Sequence, residues 1–381
     1  MNTKPIRVLH FICSTGFYGA EKWILALANN CDQREIDSEL VVTKEWDTHD
    51  LRLTEEFRDM GLIAHELPMK GRFDVRVINA LAGLIREREV DIIHTHGYKS
   101  DILGLAAAKL AKITCIATPH GFEKMDDWKL SQFIKLGCWS MKYFDSVAPL
   151  SVELCSDMRR FKVPEEKIEY IQNGVDLKSI DFRLPSTLPS RQSTTRTIGF
   201  IGQLIGRKNV PDLLDVFEQV AAENADVNLV LLGDGDARAA CEDYAKKLHS
   251  ADRIEFLGFN NTPLEYLKTF DLFVMTSTLE GIPRCLMESM AMGVPVAAYD
   301  IPGIDQLIEH NETGMLATLG DKEALKTCWD QLLWDNALAD RISQAAADKV
   351  NEKFSAARMA VEYSALYRKL LTEEGVTQAA A

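Results

Sequence analysis

Short apolar runs rich in β-branched residues alternate with helical patterns along this chain, and this alternation constrains the fold more than any other feature. Strands are predicted in the first half at 7–13, 39–43, 64–67, 91–96, 115–118, 146–150 and 169–172. The segments between them carry the apolar spacing of helices. Strands that alternate with helices pair in parallel, because each right-handed connection crosses one face of the sheet. The pattern therefore predicts a doubly wound α/β sheet.

A polar stretch at 184–196 interrupts the alternation, which then starts again. Its prolines, serines and threonines are typical of a linker. Further strands are predicted at 197–201, 228–232, 254–257, 272–276 and 295–299. We therefore predict two Rossmann-like domains, at 1–183 and 197–355, with a C-terminal helix and tail at 356–381. Ligands of such sheets bind beyond the carboxyl ends of the strands, so we expect a site in a cleft between the domains.

Composition excludes several classes of protein. A formal net charge of −14 argues against nucleic acid as a partner, because phosphate backbones need a basic surface. The eight cysteines are scattered without a C-x-x-C pair, which argues against a disulfide framework or a cysteine zinc site. No run approaches the roughly 18 apolar residues of a membrane span, and the first residues lack a signal-peptide layout. We therefore expect a cytoplasmic protein.

Two carboxylates flank a loop in the second half that is suited to binding an anion. Glu280 follows a predicted strand, and Glu288 lies in the predicted helix from Arg284 to Met292, on a face that looks back at the loop. The loop contains Gly281 and Pro283 and leads into the unpaired N–H groups of the helix start, which bind phosphate groups well. The arrangement suits a ligand that has a diphosphate in the middle and a sugar at each end.

The segment EGIPRCLMESMAMGVPV, at 280–296, resembles the E-x7-E signature of the family-4 retaining glycosyltransferases, which have the GT-B fold. The resemblance covers nearly the whole chain. It implies two Rossmann-like doubly wound domains that face each other across a cleft, with the last helix crossing back to the first domain. It also implies transfer of a hexose-like sugar from a nucleotide-diphosphate donor to an acceptor hydroxyl, with retention of the anomeric configuration.

The resemblance assigns roles to residues of the second domain. Lys208 matches the family's lysine and, with the helix N–H groups near Arg284 and Cys285, stabilises the leaving diphosphate. Glu288 accepts hydrogen bonds from the ribose, and Glu280 binds the donor sugar. With a fixed cation at the diphosphate, we expect no metal ion and no cofactor. The remaining donor-binding positions in this domain are Gln203, Gly233, Gly235, Phe259, Gly281, Ile282 and Pro283.

The chain departs from the family pattern at Gln203, where the family has an arginine. Arg207, beside Lys208, is one replacement for the missing charge. The alternative is that Gln203 acts as a neutral donor. Neighbouring residues at a helix start diverge by about 100° around the axis, so we expect Arg207 and Lys208 not to reach one phosphate pair together, and we favour the second explanation.

Three features of the first domain are candidates for the site. Gly16 and Gly19 lie in a loop that resembles the family's G-G-x-E loop, although Tyr18 replaces one glycine; the alternative is an ordinary turn. His120 resembles the family's histidine that contacts the transferred sugar. His94 and His96 share one face of a strand, and we expect them to pack there without a metal ion, with contact of His96 with the acceptor as the alternative. For the turn at 173–176, a structural role and a ligand contact both remain open.

Other functions fit the same fold. A nucleotide-sugar 2-epimerase would use UDP-GlcNAc without an acceptor, and a non-enzymatic sugar-nucleotide-binding protein would lack turnover. A dehydrogenase is disfavoured, because Arg238 stands where the dinucleotide fingerprint needs glycine or alanine. We favour UDP over GDP in the donor, a glycan or lipid-linked acceptor, and a role in bacterial cell-envelope polysaccharide or glycolipid assembly. The basic segment 70–88 is a candidate for peripheral membrane contact, with a surface helix of the first sheet as the favoured alternative.

Overall fold

The computed structural model describes residues 4–14, 16–45, 51–71, 74–121, 128–180, 195–260 and 262–379. The chain divides into two compact units. The first contains residues 1–176 and 356–381, and the second contains residues 177–355. Each unit contains a six-stranded parallel sheet with flanking helices. Most of the predicted linker, 184–194, lies outside the described residues, and Arg196 already belongs to a strand.

The first unit has the strand order β3-β2-β1-β4-β5-β6. Its strands are β1 Ile6–Ile12, β2 Ile36–Glu45, β3 Ile63–Met69, β4 Ile92–His96, β5 Thr114–Ala117 and β6 Ser146–Val147. Its helices are α1 Gly19–Asn30, α2 Arg52–Asp59, α3 Arg76–Glu87, α4 Tyr98–Ala111, α5 Trp128–Ser140, α6 Val152–Arg160 and the C-terminal helix Ala356–Ala379. The strand order reverses between β1 and β4, which is where open α/β sheets bind ligands.

Two apolar cores pack in this unit. One core contains buried residues of α1, α2 and the C-terminal helix, among them Trp23, Phe57 and Tyr363. The other contains buried residues of α3 and α4, among them Leu81 and Leu103. The amide of Ala356 donates to the carbonyl of Val175, so the C-terminal helix is attached to this unit at its first residue.

The prediction of a strand at 169–172 was wrong. Glu169 donates to the carbonyl of Val147 and Ile171 donates to that of Pro149, so the chain does run beside the end of the sheet. Proline has no N–H group and cannot return a hydrogen bond. Only an isolated bridge between Val147 and Ile168 forms, and the predicted strand at 146–150 is correspondingly limited to Ser146–Val147.

The second unit has the strand order β12-β11-β10-β7-β8-β9. Its strands are β7 Arg196–Ile201, β8 Val227–Leu232, β9 Ile254–Gly258, β10 Leu272–Met275, β11 Val296–Asp300 and β12 Met315–Thr318. Its helices are α7 Val210–Glu223, α8 Arg238–Ala245, α9 Pro263–Leu267, α10 Arg284–Ala291, α11 Ile304–Leu307, α12 Lys322–Trp334 and α13 Asn336–Lys353. The four-residue edge strand β12 was not predicted, because helices were expected throughout this part of the chain.

Both units therefore have the doubly wound, Rossmann-like α/β architecture that the sequence predicts. This architecture positions the loops that carry the candidate site, because the carboxyl ends of parallel strands meet at one edge of each sheet. Among the described residues, no helix is long and apolar enough to cross a membrane.

Candidate active site

A buried ion pair joins two loops of the second unit. The ammonium nitrogen of Lys208 lies 2.5 Å from Oε1 of Glu280, and both side chains are buried. The guanidinium of Arg207 lies 3.3 Å from the other carboxylate oxygen, Oε2. The expectation that these neighbouring cations do not both reach one phosphate pair stays a prediction, although both contact this carboxylate. They lie in a 3₁₀ turn, Gly206–Lys208, and their long side chains converge on the carboxylate.

The end of β10 holds this cationic turn in place. The hydroxyl of Thr276 donates to the carbonyls of Lys208 and Asn209, at 3.1 and 3.0 Å. The amide of Thr278 donates to the carbonyl of Arg207 at 2.8 Å. Sequence reasoning missed both threonines, although a polar residue directly after a buried strand was available as a signal. They fix the position from which the cations reach Glu280.

Glu288 is buried in the following helix, α10, and also contacts a cation. Its Oε1 lies 2.8 Å from Nη2 of Arg284, one helical turn earlier. The N-cap residue of α10, Pro283, makes no side-chain cap hydrogen bond, so no side chain at that position competes for the first N–H groups. Burial raises the pKa of Cys285 to about 11, with Lys208 lowering it and the two glutamates raising it. The Cys285 thiol therefore stays protonated among these charges.

Glycines allow the surrounding loops to approach each other closely. Gly233 and Gly235 have φ values of 141° and 157°. A Cβ at Gly233 would overlap the carbonyl oxygen of Gly202, and one at Gly235 would lie 2.5 Å from that of Leu204. Their structural role is thus to pack the loop after β8 against the loop after β7, and their contact with a ligand stays a prediction. Gln203 and Phe259 are exposed beside these loops.

Gly303, which was not identified from the sequence, likewise allows a close approach of its turn to Gly281. Its φ is 92°, and a Cβ there would overlap the carbonyl oxygen of Gly281. The signal was present as the proline–glycine pair that follows β11. Ile282 is buried next to this contact, so the whole segment between Glu280 and α10 is closely supported.

The glycine loop of the first unit is organised by Glu21. One oxygen of this buried carboxylate accepts from the Ser14 hydroxyl at 2.7 Å, and the other accepts from the Tyr18 amide at 2.9 Å. A Cβ at Gly16 would collide with the ring of Tyr18, whereas Gly19 faces open space. Glu21 thus holds the loop in shape. The alternative of an ordinary βα turn with a structural glutamate accounts for these contacts, and the ligand contacts of Gly16 and Gly19 stay predictions.

The turn at 173–176 is bound to α1. The carboxylate of Asp176 accepts from Nδ2 of Asn29 and Nδ2 of Asn30, at 2.8 and 3.0 Å. The amide of Gly174 donates to Oδ1 of Asn173. Of the two roles left open for this turn, the observed contacts support the structural one.

Four histidines cluster at the carboxyl ends of β1, β4 and β5. Nε2 of His120 lies 3.3 Å from Nδ1 of His96, and Nε2 of His96 lies 3.2 Å from Nδ1 of His10. His94 contacts the hydroxyls of Thr118 and Tyr367, at 2.7 and 2.8 Å. His94 and His96 therefore belong to a hydrogen-bonded polar cluster in addition to packing on the strand.

His10 was missed because its neighbours are not close in sequence. It pairs with His94 across adjacent strands, so the two side chains lie on one face of the sheet. Burial lowers the pKa of His10 and His120 to about 3 and that of His94 and His96 well below the usual value. Nitrogens of His10, His94 and His96 lie within 4.8 Å of one another, close enough to hold a metal ion. The expected absence of a metal stays a prediction.

Both halves of the chain match glycosyltransferase families. Residues 189–349 match the family described as Glycosyl transferases group 1, and residues 17–179 match Glycosyltransferase Family 4. The chain belongs to the family-4 glycosyltransferases. This family-4 enzyme is 26% identical over 312 residues to N-acetyl-alpha-D-glucosaminyl L-malate synthase of Bacillus anthracis, covering 79% of this chain and 81% of that protein.

A second relative is the UDP-Gal:alpha-D-GlcNAc-diphosphoundecaprenol alpha-1,3-galactosyltransferase of Escherichia coli. It is 26% identical over 313 residues, which cover 77% of this chain and 79% of the relative. Among solved structures, HepE from Anabaena in complex with UDP aligns with a TM-score of 0.77 at 19% identity, over 96% of this chain and 100% of that one. The structural likeness concerns the fold alone and agrees with the predicted GT-B architecture of this glycosyltransferase.

Proposed function

We propose that this glycosyltransferase moves a sugar from a UDP-sugar to a hydroxyl of a glycan or lipid-linked acceptor, with retention of configuration, in bacterial cell-envelope assembly. The observation that carries the proposal is a group of three cations and two carboxylates from the turn Gly206–Lys208, the loop after β10, and α10. Lys208 and Arg207 contact Glu280, and Arg284 contacts Glu288. Relatives support the substrate classes: the Anabaena structure contains UDP, and the E. coli relative is named for a UDP-sugar donor and a lipid diphosphate acceptor.

The charges of this group suit a nucleoside diphosphate as leaving group. During transfer, the bond from the anomeric carbon to the diphosphate breaks and the acceptor oxygen forms the new bond. The acceptor's proton leaves with the nucleoside diphosphate. Negative charge grows on the diphosphate, where Lys208 and the first N–H groups of α10 stabilise it. The three cations exceed the two carboxylates by one positive charge, which favours an incoming anion.

Glu280 has two tasks in this proposal. Its oxygens hold Lys208 and Arg207, and a carboxylate has further lone pairs that can accept from sugar hydroxyls. Glu288 accepts from the ribose hydroxyls, while Arg284 keeps its carboxylate oriented. His120 hydrogen-bonds the transferred sugar as a neutral imidazole, because burial lowers its pKa to about 3. No metal ion takes part in this scheme.

Contact with a membrane belongs to the proposal, but α3 is not the element that we propose for it. The apolar side chains Val77, Leu81 and Ile85 of α3 are buried in the core of the first unit. The apolar side of this helix therefore packs on the protein core and not on lipid. This packing agrees with the favoured alternative, a surface helix of the first sheet.

A different face of the first unit suits a lipid surface. Leu136, Trp139 and Tyr143 follow helical spacing and are 43%, 49% and 48% exposed. The ammonium of Lys142 lies 5.6 Å from the centre of the Trp139 ring, and Lys135 is exposed beside them. Aromatic side chains with neighbouring lysines are typical of segments that lie at an anionic membrane surface. We propose that these five residues, the aromatic–lysine face, contact the membrane that carries the acceptor.

A thermal-shift panel of UDP, GDP, ADP and dTDP tests the donor. A ligand at 100 times its dissociation constant adds ~2.7 kcal/mol of apparent stability, so UDP should raise the melting temperature well above the others. Equal shifts, or the largest shift with another base, would contradict the proposed donor.

Product analysis then separates the candidate functions. Incubation with UDP-GlcNAc alone should leave the sugar unchanged, whereas an epimerase would convert it and a binding protein would show no turnover in any arm. Parallel reactions offer a lipid diphosphate acceptor or L-malate. Transfer to L-malate alone would keep the transferase assignment and contradict the glycan or lipid-linked acceptor.

A further inference from the structure

Three histidines of the first unit form a continuous hydrogen-bonded row, here called the histidine chain: His120, His96 and His10. The two contacts join Nε2 of His120 to Nδ1 of His96 and Nε2 of His96 to Nδ1 of His10, at 3.3 and 3.2 Å. One end is sealed, since His10 is fully buried, and the other end, His120, is partly exposed. His94 stands apart from the row, because its nitrogens contact Thr118 and Tyr367.

Each contact in such a row needs one N–H and one bare nitrogen, so the protons of the three rings are coupled. Burial keeps all three imidazoles neutral by lowering their pKa values. Two arrangements satisfy both contacts. Either every ring carries its proton on Nδ1 and donates towards His120, or every ring carries it on Nε2 and donates towards His10.

The sealed end decides between the two arrangements. Nε2 of His10 is buried and has no hydrogen-bond partner in the described part of the chain. Protons on Nε2 would leave the Nε2–H group of His10 without an acceptor. A buried N–H group without an acceptor is rarer in proteins than a buried acceptor without a donor. Protons on Nδ1 leave a bare nitrogen instead. The row therefore favours donation from His10 to His96 and from His96 to His120.

We infer that His96 and His10 are positioning residues that hold the proton of His120 on Nδ1, so that His120 presents an N–H donor to an oxygen of the transferred sugar. Among the described residues, the hydrogen bond recorded for the His120 ring joins its Nε2 to Nδ1 of His96, which leaves Nδ1 for a ligand. The identity of the ligand as a sugar rests on the proposed function. The tautomer of His120 rests only on the contacts within the histidine chain. A donor at this nitrogen excludes a role for His120 as a base that takes a proton there.

The chain offers matched variants for a test. An asparagine amide can place an N–H close to the position of a histidine Nδ1, so His96→Asn keeps a donor towards His120, whereas His96→Leu removes it. The exposed residue His249 in the second unit provides a control, His249→Leu, for assignment and for general effects of losing an imidazole. Thermal unfolding of each variant shows whether it is folded before it is compared.

The measurement is long-range 1H–15N correlation of the full chain with 15N-labelled histidine, which distinguishes protonated from bare ring nitrogens. We expect Nδ1–H for His120 in the wild type, His96→Asn and His249→Leu, and a shift of the proton to Nε2 in His96→Leu. With active donor and acceptor, turnover in folded His96→Leu should fall ~10-fold, the scale of one hydrogen bond, and His96→Asn should recover most of it.

Three results would overturn the inference. The first is a bare Nδ1 of His120 in the wild type, and the second is an unchanged tautomer in folded His96→Leu. The third is a stoichiometric metal ion in the purified protein that His10→Leu removes, because the ring nitrogens would then be ligands. The spectra need no turnover. A protein with the expected tautomer and no sugar transfer would refute the proposed function and leave the histidine chain standing.

Discussion

The ammonium group of Lys208 lies 2.5 Å from Oε1 of Glu280, although the two residues are 72 positions apart in the chain. Both side chains are buried, and removing one member of a buried pair leaves the other charge uncompensated, which costs about 3–5 kcal/mol. Each residue therefore holds the other in place within the proposed diphosphate site. Variants of either residue must be shown to be folded before their activity is compared.

Substitution of the two glutamates should separate their roles. Glu280→Gln keeps the size of the side chain and removes the charge that holds Lys208, so turnover should fall by ~10²-fold, the scale of one preorganised stabilising group. Glu288→Gln weakens the proposed acceptor for the ribose, so UDP affinity should fall ~10-fold or more. Steady-state kinetics and titration calorimetry measure the two effects. An equal loss of UDP affinity in both variants would contradict the separate roles.

The two adjacent cations should differ in importance despite their shared contact with Glu280. The Lys208 side chain is 8% exposed and that of Arg207 is 37% exposed, so Arg207 is better screened by water. We expect Lys208→Ala to lower turnover by at least ~10²-fold and Arg207→Ala by less than ~10-fold.

The same kinetic measurements test the role of Gln203, which stands where the family has an arginine. Gln203→Arg restores the family's arginine and should tighten UDP binding. If Arg207→Ala is as damaging as Lys208→Ala in folded protein, Arg207 supplies the second cation at the diphosphate and the neutral role of Gln203 is wrong.

Gly303 should be required for stability because of its contact with Gly281. An alanine there would combine a φ of 92° with overlap of the Gly281 carbonyl, and such strain costs about 1–3 kcal/mol. We expect Gly303→Ala to lower the urea midpoint clearly. Gly206→Ala is the matched control, since a Cβ at that position meets nothing within 4 Å. Equal midpoints for the two variants would show that the loop relaxes freely.

The aromatic–lysine face should bind anionic vesicles. Trp139→Ser with Tyr143→Ser removes two exposed aromatic rings and should abolish most co-flotation with phosphatidylglycerol vesicles. Val361→Ser, at an exposed apolar residue of the C-terminal helix, should leave flotation unchanged. Added salt should weaken binding by the wild type, because the lysine contribution is screened. Undiminished flotation of the double variant would place any membrane contact elsewhere.

Most strands could be predicted from local pattern because a strand buried in a parallel sheet is apolar along its length. The strand β10, Leu272–Met275, is an example, and the carboxylate-bearing loop after it followed from the same reasoning. The edge strand β12, Met315–Thr318, was not predicted, because helices were expected throughout this part of the chain. The segment 169–172 is the opposite case, because it was predicted as a strand and is not one. Pro149 in the neighbouring segment has no N–H group and prevents a continuous ladder of hydrogen bonds.

The parts of the site that sequence reasoning missed depend on which loops become neighbours. His10 joins the histidine chain only because β1 pairs with β4. Gly303 matters only because its turn packs on the carbonyl of Gly281. The convergence of Arg207 and Lys208 on one carboxylate depends on a 3₁₀ turn in place of the α-helical start that was assumed. Each of these is a tertiary relationship that no local pattern records.

The central claim is transfer of a sugar with retention of configuration, and NMR of the glycosylated product tests it most directly. The enzyme is incubated with the UDP-sugar selected by thermal shift and with the acceptor, in the presence of EDTA, and the coupling constant of the new anomeric proton is measured. We expect a product with the same anomeric configuration as the donor, formed at an undiminished rate without metal. An inverted product, or activity that EDTA abolishes and manganese restores, would contradict the account.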